Sequence, residues 1–166
     1  MTDTTPVRTA VAAFARPADT TQYALGDLVA DSATAGEVTP LAFAGGPALV
    51  RRAMLTKDDD DTTSASFRLH LFATDPVATA PEGGDNGALS LNTAVAGYLG
   101  ALDVAFASAP DIYNTAGNVA VGVPLQGSEI FVPADVGTLY GLIEARGTYT
   151  PAGGETFSAT LDLLRF

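Results

Sequence analysis

Phe67-Arg68-Leu69-His70-Leu71-Phe72 is the stretch that decides the fold. Phe67, Leu69 and Leu71 fall on one side of an extended chain, and Arg68 and His70 fall on the other. This period of two marks a β-strand with one face turned to a core. The same alternation returns near the C-terminus, with Phe157, Ala159, Leu161 and Leu163 on one face and Ser158, Thr160 and Asp162 on the other.

Further strands are expected over Asp27–Val29, Val38–Phe43, Ala48–Thr56, Leu102–Ala107, Val119–Leu125, Glu129–Val132 and Leu139–Arg146. Breakers separate them, among them Gly45-Gly46-Pro47, Ala109-Pro110-Asp111, Gly117-Asn118, Gly127 and Pro133. Many short strands at this spacing predict an all-β domain, an antiparallel β-sandwich or a jelly-roll or barrel-like relative of one. Leu139–Arg146 and the last strand read as a hairpin with a long tip over Gly147–Glu155. One short helix is expected at Asn92–Leu99, with Asn92 as its N-cap and Gly100 just past its end. Residues 1–22 read as an extended N-terminal arm, containing one strand around Val11–Arg16 between Pro6 and Pro17. Residues 23–166 form the β domain.

The 166 residues suffice for one domain with a real core. Hydrophobic residues make up 47% and charged ones only 16%, so the surface is rich in Ala, Gly, Thr and Ser. Net charge is −11, with seven arginines and one lysine, Lys57, against nineteen acids. Such a balance excludes a nucleic-acid grip, which needs cations to neutralise phosphates, and an anionic membrane surface would repel the chain. No apolar run approaches the roughly 20 residues of a membrane helix, and no secretory signal opens the chain. A soluble protein made in the cytoplasm is expected.

The residues that carry chemistry are sparse. Zero cysteines remove disulfides, thiolate metal sites and Cys nucleophiles. His70 is the sole histidine. It is expected at the surface or between subunits, so a His-based triad or metal cluster is not. Asp58-Asp59-Asp60-Asp61 lacks the alternation of a calcium loop and reads as a solvated hairpin tip. Glu129 and Glu144 are the nominal carboxylate pair for glycoside hydrolysis, but no tryptophan is present to build a sugar platform. Gly83-Gly84-Asp85-Asn86-Gly87 is a turn and not a phosphate cradle. Arg51-Arg52 is expected to place one arginine on each face of a strand. The chain is therefore expected to have no enzymatic activity, no cofactor and no metal.

Order and spacing of several short segments resemble a family of small virion structural proteins of tailed bacteriophages. These are Arg16-Pro17-Ala18-Asp19-Thr20-Thr21 with Tyr23 and Gly26-Asp27; Leu69-His70-Leu71-Phe72-Ala73-Thr74-Asp75-Pro76; and Asp85-Asn86-Gly87-Ala88 before Leu89-Ser90-Leu91. Gly97-Tyr98-Leu99-Gly100, Leu139-Tyr140-Gly141-Leu142-Ile143-Glu144-Ala145 and Gly147-Thr148-Tyr149-Thr150 continue the series. The four-Asp run and the Ala-rich first strand depart from it. The resemblance implies a capsid decoration, or cement, protein on the head exterior, assembled in the host cytoplasm. Its partner would be the major capsid protein, and it would form a homo-oligomer, a trimer being favoured. Val11, Phe14, Arg16 and Tyr23 are the interface residues this reading implies, on an arm that orders on docking. A tail protein or a receptor- or glycan-binding β module is the alternative.

Overall fold

The computed structural model describes residues 7–76, 83–91, 97–106, 118–122 and 129–166. The described chain is nearly all β, and two antiparallel sheets pack face to face as a sandwich. The first sheet runs β1 (Val7–Ala15), β10 (Thr156–Arg165), β4 (Ala48–Lys57), and the far edge of β4 is shared by β7 (Asn118–Gly122) and β8 (Ile130–Val132). The second runs β6 (Tyr98–Ala105), β5 (Ser66–Phe72), β9 (Thr138–Ala145), with β2 (Leu28–Val29) and β3 (Leu41–Ala44) sharing the far edge of β9.

The alternating faces account for the packing. Phe67, Leu69 and Leu71 of β5 meet Phe157, Ala159, Leu161 and Leu163 of β10 in one core between the sheets. Val50, Ala53 and Leu55 of β4 and Leu139, Ile143 and Ala145 of β9 complete it. The ring of Phe67 lies edge-on to Phe106, Tyr149 and Phe157, at centroid distances of 5.8, 5.7 and 5.3 Å. Edge-to-face contacts of this kind add to simple area burial.

Several expectations are corrected. β9 and β10 are not a hairpin: they lie in different sheets, so residues 146–155 cross the end of the sandwich. The acidic run likewise joins β4 of one sheet to β5 of the other and is no hairpin tip. The expected helix is absent where it can be judged. Residues 92–96 lie outside the described residues, Gly97 is a turn at φ 88°, and Tyr98 and Leu99 begin β6. An eight-residue helix is marginal alone, and pairing of Tyr98 with Phe72 wins.

The stretch marked as an arm is, over Val7–Ala15, an edge strand paired with β10 along its whole length. Ala10 is buried, and Phe14 stacks on Phe157 at 6.0 Å. A second, smaller apolar cluster covers part of the outside of the second sheet. Leu28, Ala30, Val38, Phe72 and Leu142 form it, with Leu89, Leu91 and Tyr140 against them. Among the described residues no helix is long and apolar enough to cross a membrane.

Candidate interaction face

The polar groups with most chemical capacity are spent on holding the fold. His70 is buried, correcting its expected surface position, because the second cluster covers its face of β5. Its Nε2 lies 2.9 Å from Glu144 Oε2 and its Nδ1 3.2 Å from Tyr98 Oη. Arg146 holds the other Glu144 oxygen at 3.0 Å, and Arg68 grips Asp103 through two bonds of 2.6 and 2.9 Å. Burial pushes the imidazole below its ordinary value, against the opposing pull of Glu144. The hydroxyl among these partners is the phenol of Tyr98, on the Nδ1 side of the ring. Glu144 is thus committed to His70 and Arg146, while Glu129 is exposed beside β8.

Two buried ion pairs tie the loops to the sandwich. Arg16 Nη2 and Asp85 Oδ2 are 2.6 Å apart, with both side chains fully buried. Asp85 Oδ1 accepts from Tyr23 Oη at 2.7 Å and from the Ala30 N–H at 2.8 Å, and Arg16 Nε also donates to Tyr23. At the other site Lys57 Nζ, the single lysine, donates to Asp59 O at 2.6 Å and Tyr149 Oη at 3.0 Å, and pairs with Glu155 at 3.3 Å. Burial raises the Glu155 carboxyl, while bonds from Tyr149 and Lys57 hold it down. Both tyrosines are pushed up, first by burial and then by the carboxylates beside them.

The acidic run has structural work. Asp58 accepts from the Thr156 N–H at 2.8 Å, Asp59 from Asp61 N–H at 3.3 Å, and Asp61 from Thr63 N–H at 2.8 Å. The last two are Asx turns, which shape a loop without a ligand. Among the described residues no group of three or more His, Asp or Glu side chains is arranged to hold a metal ion.

The surface that stands out is the outer face of the first sheet. The strand registers place Val7, Leu164, Leu49 and Phe131 side by side across β1, β10, β4 and β8. Two strand positions further along, Thr9, Asp162 and Arg52 line up; then Val11, Thr160 and Met54; then Ala13, Ser158 and Thr56. Val11 is 61% exposed and Phe131 53%. At a strand spacing of about 4.8 Å and a rise of about 3.3 Å per residue, the three long strands β1, β10 and β4 cover roughly 30 by 14 Å, and the three-residue β8 adds Phe131 at one end. The apolar residues gather at that end, and exposed apolar groupings rimmed by polar residues mark interaction surfaces.

A β-bulge interrupts the face. Arg52 pairs with Asp162 and Val50 with Leu163, so Arg51 has no opposite number on β10. Both arginines are exposed, correcting the expectation of one on each face. An extra residue in one strand resets the alternation, which turns the pair outward together. Arg52 bonds Asp162, and Arg51 has no ion pair among the described residues.

Of the four interface candidates, Val11 sits at the exposed edge of this face. Phe14 is half-buried on Phe157, and Arg16 and Tyr23 are turned inside against Asp85. Leu49, Met54, Phe131 and Leu164 belong to the face and were not singled out by the sequence reading. Alternation within the C-terminal strand could have marked Leu164, whereas Leu49 and Met54 share a face only because of the bulge between them. Profiles of known protein families and curated proteins, when compared with the chain, give no match.

Proposed function

We propose that this protein is a phage capsid decoration protein that docks the outer face of its first sheet on the head exterior and bridges capsid subunits. The carrying observation is the row Val7–Leu164–Leu49–Phe131 with Val11 and Met54 behind it. A cement protein needs an adhesive surface on a rigid scaffold, and the sandwich supplies both. The family resemblance of the sequence supports the same reading. The buried pairs at Arg16 and Lys57 stiffen one end of the sandwich, where the Arg16 N–H bonds the Glu155 carbonyl at 2.9 Å, and leave the face free for contact. Its partner is the major capsid protein, and a homo-oligomer on the shell, a trimer in the favoured arrangement, would add copies of the same face.

The test is co-sedimentation of the purified chain with assembled heads. Val11→Asp and Phe131→Asp place a charge on the face while touching no core residue. Each is expected to weaken head binding strongly while leaving the melting temperature nearly unchanged. Equal binding by both variants would remove the face from the interface. Recovery of the chain in tails alone, or in no virion, would sink the decoration reading.

A further inference from the structure

We propose that the free edge of β1 is a contact between two copies of the chain, which pair antiparallel about a two-fold axis at Val11 and join their first sheets into one. The pairing does not depend on the decoration reading, and it is two-fold where the family resemblance favours a trimer. Backbone bonds decide which groups are free. The Arg16 N–H donates to the Glu155 carbonyl at 2.9 Å, one step past the Ala15–Thr156 pair. The Thr156 carbonyl accepts from the Asp58 N–H at 3.2 Å, so it faces β4 and not β1. Because bonded and non-bonded pairs alternate along an antiparallel ladder, Arg8, Ala10, Ala12 and Phe14 bond β10. Val7, Thr9, Val11, Ala13 and Ala15 turn their N–H and C=O groups to the other edge. Among the described residues no strand pairs there. All five residues are exposed. Edge strands are normally blunted by prolines, bulges or charges, and this one has no proline, no register shift and a single charge, Arg8.

Pairing about Val11 uses the whole strand. Val7 then faces Ala15 of the second copy, Thr9 faces Ala13, and Val11 faces its own copy. Every edge-turned residue meets another and exchanges both bonds with it. On the inner side, Arg8 of one copy falls opposite Phe14 of the other. Beside Phe14 lies a groove of about 550 Å³, lined also by Ala12, Asp31, Thr39 and Leu41. Asp31 accepts from the Thr39 N–H at 2.8 Å. Neither Asp31 nor Arg8 has an ion pair among the described residues. The register therefore brings each Arg8 toward the Asp31 of the other copy, twice per dimer. The two Arg8 positions stay about six residues, or roughly 20 Å, apart. A strand from another protein would gain the backbone bonds without this reciprocal charge match. An axis normal to the sheet also keeps both outer faces on one side.

The experiment measures the molar mass of the full chain by light scattering from about 1 to about 200 µM, with amide hydrogen exchange on the same samples. The parent should reach twice the chain mass. Its Thr9, Val11 and Ala13 amides should gain protection as the dimer fills, while those of Ala10 and Ala12 stay protected throughout. Arg8→Glu and Asp31→Arg should each weaken association by about tenfold or more, because like charges then face each other. Arg8→Glu/Asp31→Arg should recover it. Ala13→Pro removes an edge-turned N–H and no bond to β10, so it should be folded and monomeric. A parent that stays monomeric, a trimer, or a dimer whose edge amides exchange freely overturns the inference. So does a folded double variant that associates no better than the single ones. Protection of these amides only on assembled heads gives the edge to a capsid segment and overturns the second copy as its occupant. A dimer with the expected protection and charge rescue that binds no heads upholds the pairing and overturns decoration instead.

Discussion

Replacing Asp85 with alanine tests the network that holds the edge strand to the domain. Asp85 takes three bonds inside the protein, from Arg16 at 2.6 Å, Tyr23 at 2.7 Å and the Ala30 N–H at 2.8 Å. Both charged side chains are fully buried, so solvent cannot replace the lost carboxylate. Breaking one partner of a buried pair costs about 3–5 kcal/mol. The stranded Tyr23 hydroxyl and Ala30 amide push the loss toward the upper end, at about 1–3 kcal/mol per unsatisfied group. The penalties overlap because one relaxation relieves several, so about 4–5 kcal/mol is expected. At this chain length about 2–4 °C of melting temperature follows each kcal/mol, giving a fall of roughly 8–20 °C. Urea denaturation followed by circular dichroism gives the free energy, and calorimetry the midpoint. The double variant Arg16→Met/Asp85→Leu should lose less than Asp85→Ala alone, because it leaves no orphaned charge. A loss below about 1 kcal/mol in Asp85→Ala, against the roughly 3–5 kcal/mol of a buried pair, would refute the reasoning. So would additive single-variant losses.

His70 supplies a pH signature. Burial lowers its imidazole from the ordinary value, so the unfolded chain binds the proton more readily. Its contribution is full above about 6.5 and is lost as pH falls through the lower folded value. The stability drop between pH 7.5 and 5.0 should be larger in the parent than in His70→Gln, and equal drops in urea midpoints would contradict this. Gly45→Ala puts a methyl into the Val136 carbonyl and should cost about 1–3 kcal/mol. Gly137→Ala, with open space at its Cβ, should change the urea midpoint little. Calcium should leave the melting temperature unmoved, since Asp58, Asp59 and Asp61 cap backbone amides. A site at 100-fold excess over its Kd would add about 2.7 kcal/mol, which calorimetry would detect.

Period-two alternation made the strands legible, because a side chain's face follows from its place along the chain. Phe67–Phe72 and Thr156–Arg165 sit where the alternation places them. Strand partners were not legible. Gly147–Glu155 has the composition of a hairpin tip, yet nothing local says that β9 and β10 belong to different sheets. His70 carries a polar face's label, but Leu142 and Leu28 of the other strands of its sheet and Val38 of a loop, all distant in sequence, make that face partly apolar. Lys57 looks like a surface lysine until Tyr149 and Glu155 of the segment before β10 close around it. The bulge at Arg51 escapes a reading that assumes strict alternation, and with it the outward turn of Arg51 and Arg52 together.

The most direct test of the account is an electron cryo-microscopy reconstruction of assembled heads mixed with the purified chain. The expected result is added density on the outside of the shell, with the β1–β10–β4 sheet turned toward the capsid. Heads without added density, or sandwich density with that sheet facing solvent, would contradict it.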